Sequence, residues 1–113
     1  MRLKYIDAPE SHQLSLDKVP IGKNAKKHLE KIILNKRVKF KREEKGVYGR
    51  DIGVIFLNRN SINLMMIKSG MAITYGAQLP FAYRQAQYQA RAKRVGVWRT
   101  EGFLKPSYYR KLN

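Results

Sequence analysis

Two extended runs, Val38 to Lys41 and Ile52 to Phe56, are joined by a glycine-punctuated connection and flanked by segments of helical period, so the chain must pack sheet against helices. In the first run Val38 and Phe40 point one way, Lys39 and Lys41 the other. From about Asn24 to Asn35, the residues Ala25, Leu29, Ile32 and Ile33 share a helical face, with lysines on the others. Ser61 or Asn63 caps a short apolar helix through Ile67 that Gly70 ends, and Met71 to Tyr75 returns as an extended piece. A last helix is expected from Pro80 to about Val95, stopped by Gly96. On it Ala82, Ala86 and Ala90 form a small-residue seam, and Phe81, Tyr88, Ala92 and Val95 a second apolar row. The 113 residues suffice for one core, so a single domain is expected, with a basic tail over 99–113.

The stretch Arg2 to Glu10 carries the first chemistry. Arg2 to Ile6 reads as a strand, and Ala8-Pro9 stops it, because proline cannot donate to a ladder and holds the preceding residue extended. Asp7 and Glu10 are thereby placed on a fixed bend, a suitable position for a hard metal ion; the plainer reading is an edge strand with an acidic turn. Ser11 to Lys23 has no sustained period and reads as a loop. His12 within it, two residues from Glu10, is a candidate acid or ligand, against the plainer reading of a solvated loop histidine; His28 reads as a boundary residue of the first helix, since no second histidine or carboxylate stands at a familiar metal spacing from it.

Charge narrows the partner. Lys plus Arg number 24 against 8 Asp plus Glu, a formal net charge of +16, which points to a polyanion. Nucleic acid ranks above an anionic membrane, because seven tyrosines, four phenylalanines and a tryptophan offer stacking faces and the basic residues are not gathered on one amphipathic helix. Trp98 reads as a packing anchor. The tail mixes Lys105, Arg110 and Lys111 with Tyr108 and Tyr109, so it tracks a nucleic-acid backbone or is a solvated terminus. No membrane span is expected: the longest mainly apolar run, Ile62 to Ala72, is short and interrupted. A secretory leader is not expected either, since Asp7, Pro9 and Glu10 break the N-terminal segment, and the compartment stays open. With no cysteine, no phosphate-cradling glycine loop and no serine triad, the remaining enzyme options are carboxylate, arginine and metal chemistry.

Arg2 with Ile6-Asp7-Ala8-Pro9-Glu10, Ile21-Gly22, Tyr48-Gly49-Arg50, Gly70-Met71-Ala72 with Tyr75, the Ala86 to Ala92 helix and Gly96-Val97-Trp98 follow one another in an order that resembles the staphylococcal (micrococcal) nuclease family. The resemblance covers nearly the whole chain. It implies an α+β fold, mainly an OB-type five-stranded barrel with three helices, of the kind that binds nucleic acid on one face. It also implies a calcium-dependent endonuclease that cuts DNA and RNA, preferring single-stranded or fraying substrate and leaving 3′-phosphates. In that scheme Asp7 binds Ca2+ through its carboxylate and Ala8 through its backbone carbonyl. Glu10 handles the attacking water, Arg2 and Arg50 hold the phosphate, and Tyr75 and Tyr48 face the substrate.

The chain departs from the family at its start. Family members carry two strands before the arginine-bearing one, and the hairpin between them supplies another calcium-binding aspartate. A barrel without its first two strands is therefore expected, arising from a truncated start, from a strand donor or homodimer that completes it, or from adaptation to the loss. The alternative function is a noncatalytic OB-type module for single-stranded nucleic acid, or an inactive truncated nuclease.

Overall fold

The apolar run that begins at Ile52 becomes the centre of the main sheet. The computed structural model describes residues 2–46, 49–103 and 105–112, with the side chains of Ser107 and Leu112 left aside. In chain order the elements are β1 Arg2–Leu3, β2 Ile6–Asp7, α1 Ile21–Ile33, β3 Lys39–Lys45, β4 Asp51–Leu57, β5 Asn60–Ser61, α2 Ile62–Lys68, β6 Ile73–Thr74, α3 Phe81–Lys93, a 3-10 turn Gly96–Arg99 and α4 Pro106–Leu112. The main sheet has the order β1-β4-β3, with β5 added to the end of β4, and β2 pairs separately with β6. The mixed α+β class holds. Among the described residues these strands do not close into a barrel, and α4 is a fourth helix where a basic tail was expected.

The N-terminal strand is the main departure from the expected elements. Arg2–Leu3 runs parallel to β4, whereas Ile6–Asp7 runs antiparallel to β6, so what reads as one strand serves two sheets. Tyr5 makes the transfer in a left-handed conformation, φ 71°. A non-glycine residue there costs about 1–2 kcal/mol, which its packing must offset. The Tyr5 ring lies 5.1 Å from that of Tyr83, and its carbonyl accepts the Tyr75 N–H at 2.8 Å.

Other boundaries move for tertiary reasons. α1 begins at Ile21, inside the stretch read as a loop, because Gly22 belongs to its first turn. β3 extends through the charged residues to Lys45 by pairing along β4, with a bulge between Arg42 and Glu44. Pairing outweighs the low strand propensity of these exposed residues. α3 stops at Lys93, capped by Arg94 in the left-handed conformation, φ 53°, two residues before Gly96, which is left-handed as well, φ 58°. Its buried face is Tyr83, Ala86 and Ala90, while Phe81 and Tyr88 are 68% and 75% exposed, so the second apolar row is a solvent face.

Two polar features tie the layers together. Ser61 caps α2, accepting the Leu64 N–H at 3.1 Å. Asn63, wholly buried, accepts from Ile55 N at 3.2 Å and donates to the carbonyls of Lys4 at 2.9 Å and Gly53 at 3.2 Å. One side chain thus joins α2 to β4 and to the turn after β1. The main core gathers Ile6, Ala25, Met66, Ile67, Ala72, Tyr83 and Ala86, so both N-terminal strands and three helices rest on it.

Candidate active site

The acidic bend is built by burying its backbone. Asp7 ends β2 opposite Ile73, and Pro9 is buried behind it. Gln13, fully buried, laces the loop that follows. Its side-chain oxygen accepts from Glu10 N at 3.2 Å, its N–H donates to the Glu10 carbonyl at 2.8 Å, and its own carbonyl accepts from Gly22 N at 3.1 Å. At Gly22 a Cβ would stand 1.6 Å from the Glu10 carbonyl oxygen, so only glycine lets the first turn of α1 lie against the bend.

Both carboxylates meet one cation. Arg110, on α4, places Nη2 at 3.0 Å from Asp7 Oδ2 and Nη1 at 2.5 Å from Glu10 Oε1. Hydrogen bonding, to Asp7 first and then to Glu10, raises the Arg110 pKa above its ordinary value. The Asp7 side chain is only 10% exposed, while Glu10 and Arg110 are each 41% exposed. Solvent screening therefore holds the contribution of the fork to on the order of 1–2 kcal/mol.

The arginines expected to hold phosphate lie in a groove of about 770 Å³, lined by Arg2, Lys4, Tyr5, Lys45, Arg50 and Tyr75 among others. The parallel pairing of Arg2 with Ile52 sets it beside the strand that follows Arg50. Gly46 N donates to the Arg50 carbonyl at 2.7 Å and closes the β3–β4 turn, in which Gly49 has φ 79°. The Arg2 guanidinium stands 4.9 Å over the Tyr75 ring. Cationic and stacking surfaces thus face one groove.

The sequence-selected residues fall into two groups at the two ends of the short N-terminal segment. Arg2, Arg50 and Tyr75 share the groove; Asp7 and Glu10 share Arg110. Ala8, between the carboxylates, is half-buried against the main core. Tyr48 lies outside the described residues. His12 is exposed and His28 half-buried on α1. Sequence reasoning missed two participants. Gln13 gives no signal, because its role comes from burial, but Lys105-Pro106 is a helix-start signal that could have located α4 and hence Arg110.

The donor chemistry fits a hard cation. Calcium takes six to eight oxygen ligands, and the pair already grips a positive group through oxygen. Among the described residues no group of three or more His, Cys, Asp or Glu side chains is placed to hold a metal. Two carboxylates would therefore be supplemented by backbone carbonyl oxygen and water.

A sheet carried on helices thus presents an acidic bend and a basic, aromatic groove at the two ends of one N-terminal segment. The family model described as staphylococcal nuclease homologue matches residues 1–100, and the chain belongs to this family. It is 36% identical over 113 residues to an "Uncharacterized endonuclease" of Haemophilus influenzae, covering 98% of this chain and 60% of that protein. It is 34% identical over 114 residues to the "Staphylococcal-like nuclease CAN1" of Arabidopsis thaliana, covering 98% of this chain and 33% of the relative. A "Probable endonuclease LCL3" of Komagataella phaffii is 29% identical over 123 residues, covering 99% and 54%. The chain thus spans 60% or less of the length of these relatives.

Proposed function

We propose that the chain is a calcium-dependent endonuclease that hydrolyses phosphodiester bonds of DNA and RNA, with single-stranded or fraying substrate preferred and 3′-phosphates as products. The observation that carries this reading is the Asp7–Glu10 bend, whose two carboxylates converge on a single cation. The endonuclease names of relatives, the basic groove and the +16 charge support it. Asp7, with the Ala8 carbonyl, would hold the ion, and the ion when bound would offset phosphate charge. Glu10 would accept a proton from the attacking water as the bond to the 5′-oxygen breaks. Arg2 and Arg50 would fix the phosphate and stabilise charge developing on its oxygens, so loss of either should lower turnover by about 10²- to 10³-fold. Tyr75, and Tyr48 in the same scheme, would offer faces to bases or sugars.

The test is cleavage of labelled single-stranded DNA with calcium or with chelator, alongside Glu10→Gln. Calcium-dependent cutting that collapses in the variant supports the reading. Salt-sensitive binding with no cutting would replace it with a noncatalytic module for single-stranded nucleic acid. One observation favours that second reading: Arg110 already bonds to both carboxylates and offsets one of their two charges. Completion of the sheet by a second copy or a donated strand fits the β1 side better than β3, whose outer edge carries Lys39, Lys41, Arg42 and Lys45 and resists edge pairing.

A further inference from the structure

We propose that α4 is an intramolecular occupant of the cation site, so that Arg110 and a divalent cation compete for Asp7 and Glu10. The inference rests on the reading of those carboxylates as the cation-binding pair. A guanidinium that hydrogen-bonds to both acids, at 3.0 and 2.5 Å, uses the oxygens a metal ion would need and sets a positive charge where the ion's own charge would sit. The two cations exclude each other by position and by sign.

The chain before α4 is fastened so that Arg110 stays near the bend. Leu16 N donates to the Glu101 carbonyl at 2.9 Å, and Phe103 meets Trp98 edge-on with ring centroids 5.8 Å apart. Pro106, the first residue of the helix, is fully buried. With that anchor included, α4 has seven residues, too few to hold a helix without tertiary contacts. Its basic end reaches the site through a half-exposed side chain. The helix is thus tethered at its start and docked by charge near its end, which keeps the competing cation at high local concentration.

Competition sets a measurable scale. When only the undocked fraction binds calcium, apparent affinity falls by that fraction, so docking about 90% of the time weakens uptake roughly tenfold. By linkage, bound calcium loosens α4 to the same degree.

The experiment is calorimetric titration of calcium chloride into the chain, into Arg110→Gln and into Lys111→Gln, which makes the same charge change at the neighbouring exposed position. Hydrogen exchange of the α4 amides is followed alongside. Arg110→Gln should bind calcium about tenfold more tightly than wild type, and Lys111→Gln within twofold of it. In wild type, calcium should speed exchange along α4. Equal affinity of wild type and Arg110→Gln, equal tightening by both variants, or α4 exchange indifferent to bound calcium would each overturn the competition while leaving calcium binding intact. Absence of calcium uptake by wild type and Arg110→Gln alike would overturn it together with the calcium-dependent reading.

Discussion

Replacing Gly22 by alanine sets helix propensity against packing. Gly22 lies in the first turn of α1, where alanine is intrinsically favoured by about 1 kcal/mol. Against this, the new Cβ would meet the Glu10 carbonyl oxygen at 1.6 Å and the Glu10 carbonyl carbon at 2.6 Å, both backbone atoms that no side-chain rotation can remove. Relief requires the helix or the bend to shift by more than 1 Å, an overpacking cost of roughly 1–3 kcal/mol. The shift also strains the Gly22–Gln13 and Gln13–Glu10 hydrogen bonds, at 3.1 and 2.8 Å, each worth about 1 kcal/mol. The net expectation is a loss of about 2–3 kcal/mol, or roughly 10 °C in Tm for a chain of this size. Urea titration and thermal melting of Gly22→Ala, with Lys23→Ala as an exposed control in the same turn, measure it. Calcium uptake should weaken in the same variant, because Glu10 moves with its carbonyl. A Gly22→Ala protein as stable as wild type, or more stable, would refute the packing argument and leave propensity in charge.

Two further outcomes follow from buried polar groups. Asn63→Ala should cost about 3 kcal/mol in chemical denaturation, since it removes the side-chain partner of the Ile55 N–H and of the Lys4 carbonyl, while the Gly53 carbonyl keeps the Lys4 N–H at 2.8 Å. Because Lys4 and Gly53 border the groove strands, the variant should also weaken binding of a single-stranded oligonucleotide. Tyr83 is the pH-dependent case: burial raises its pKa above the ordinary 10.0, the Ser61 hydrogen bond opposes that shift, and Tyr5 adds to it. A raised value in the folded state means that the folded protein holds a proton which the unfolded chain releases. Its contribution is complete below pH 10 and is lost as pH climbs through the folded-state value. Melting followed from pH 8 to pH 11 should show a decline that is shallower in Tyr83→Phe.

Much of the site was legible as spacing. Asp7, Pro9 and Glu10 announce an acidic bend because proline acts on its immediate neighbours, and the Ser61 cap and the Gly70 stop bracket α2 for equally local reasons. The buried face of α3 was not legible. Phe81 and Tyr88 look apolar in the sequence, yet the helix turns Tyr83 inward, where its ring meets Tyr5 and its hydroxyl lies 3.0 Å from Ser61 Oγ. Hydrophobic period marks a stripe without saying which stripe finds a partner.

The sequence by itself determined the alternation of strands and helices, the cationic character and the residue types available for chemistry, since each depends on neighbours within a few positions or on a sum over the chain. Tertiary structure alone decided that Arg2 and Asp7 serve different sheets, that Gly22 makes room for the Glu10 bend, and that Arg110 closes on carboxylates about a hundred residues away. Those outcomes depend on backbone crossings and close approaches between distant segments. Local propensity carries no record of what a residue meets once the chain has closed on itself.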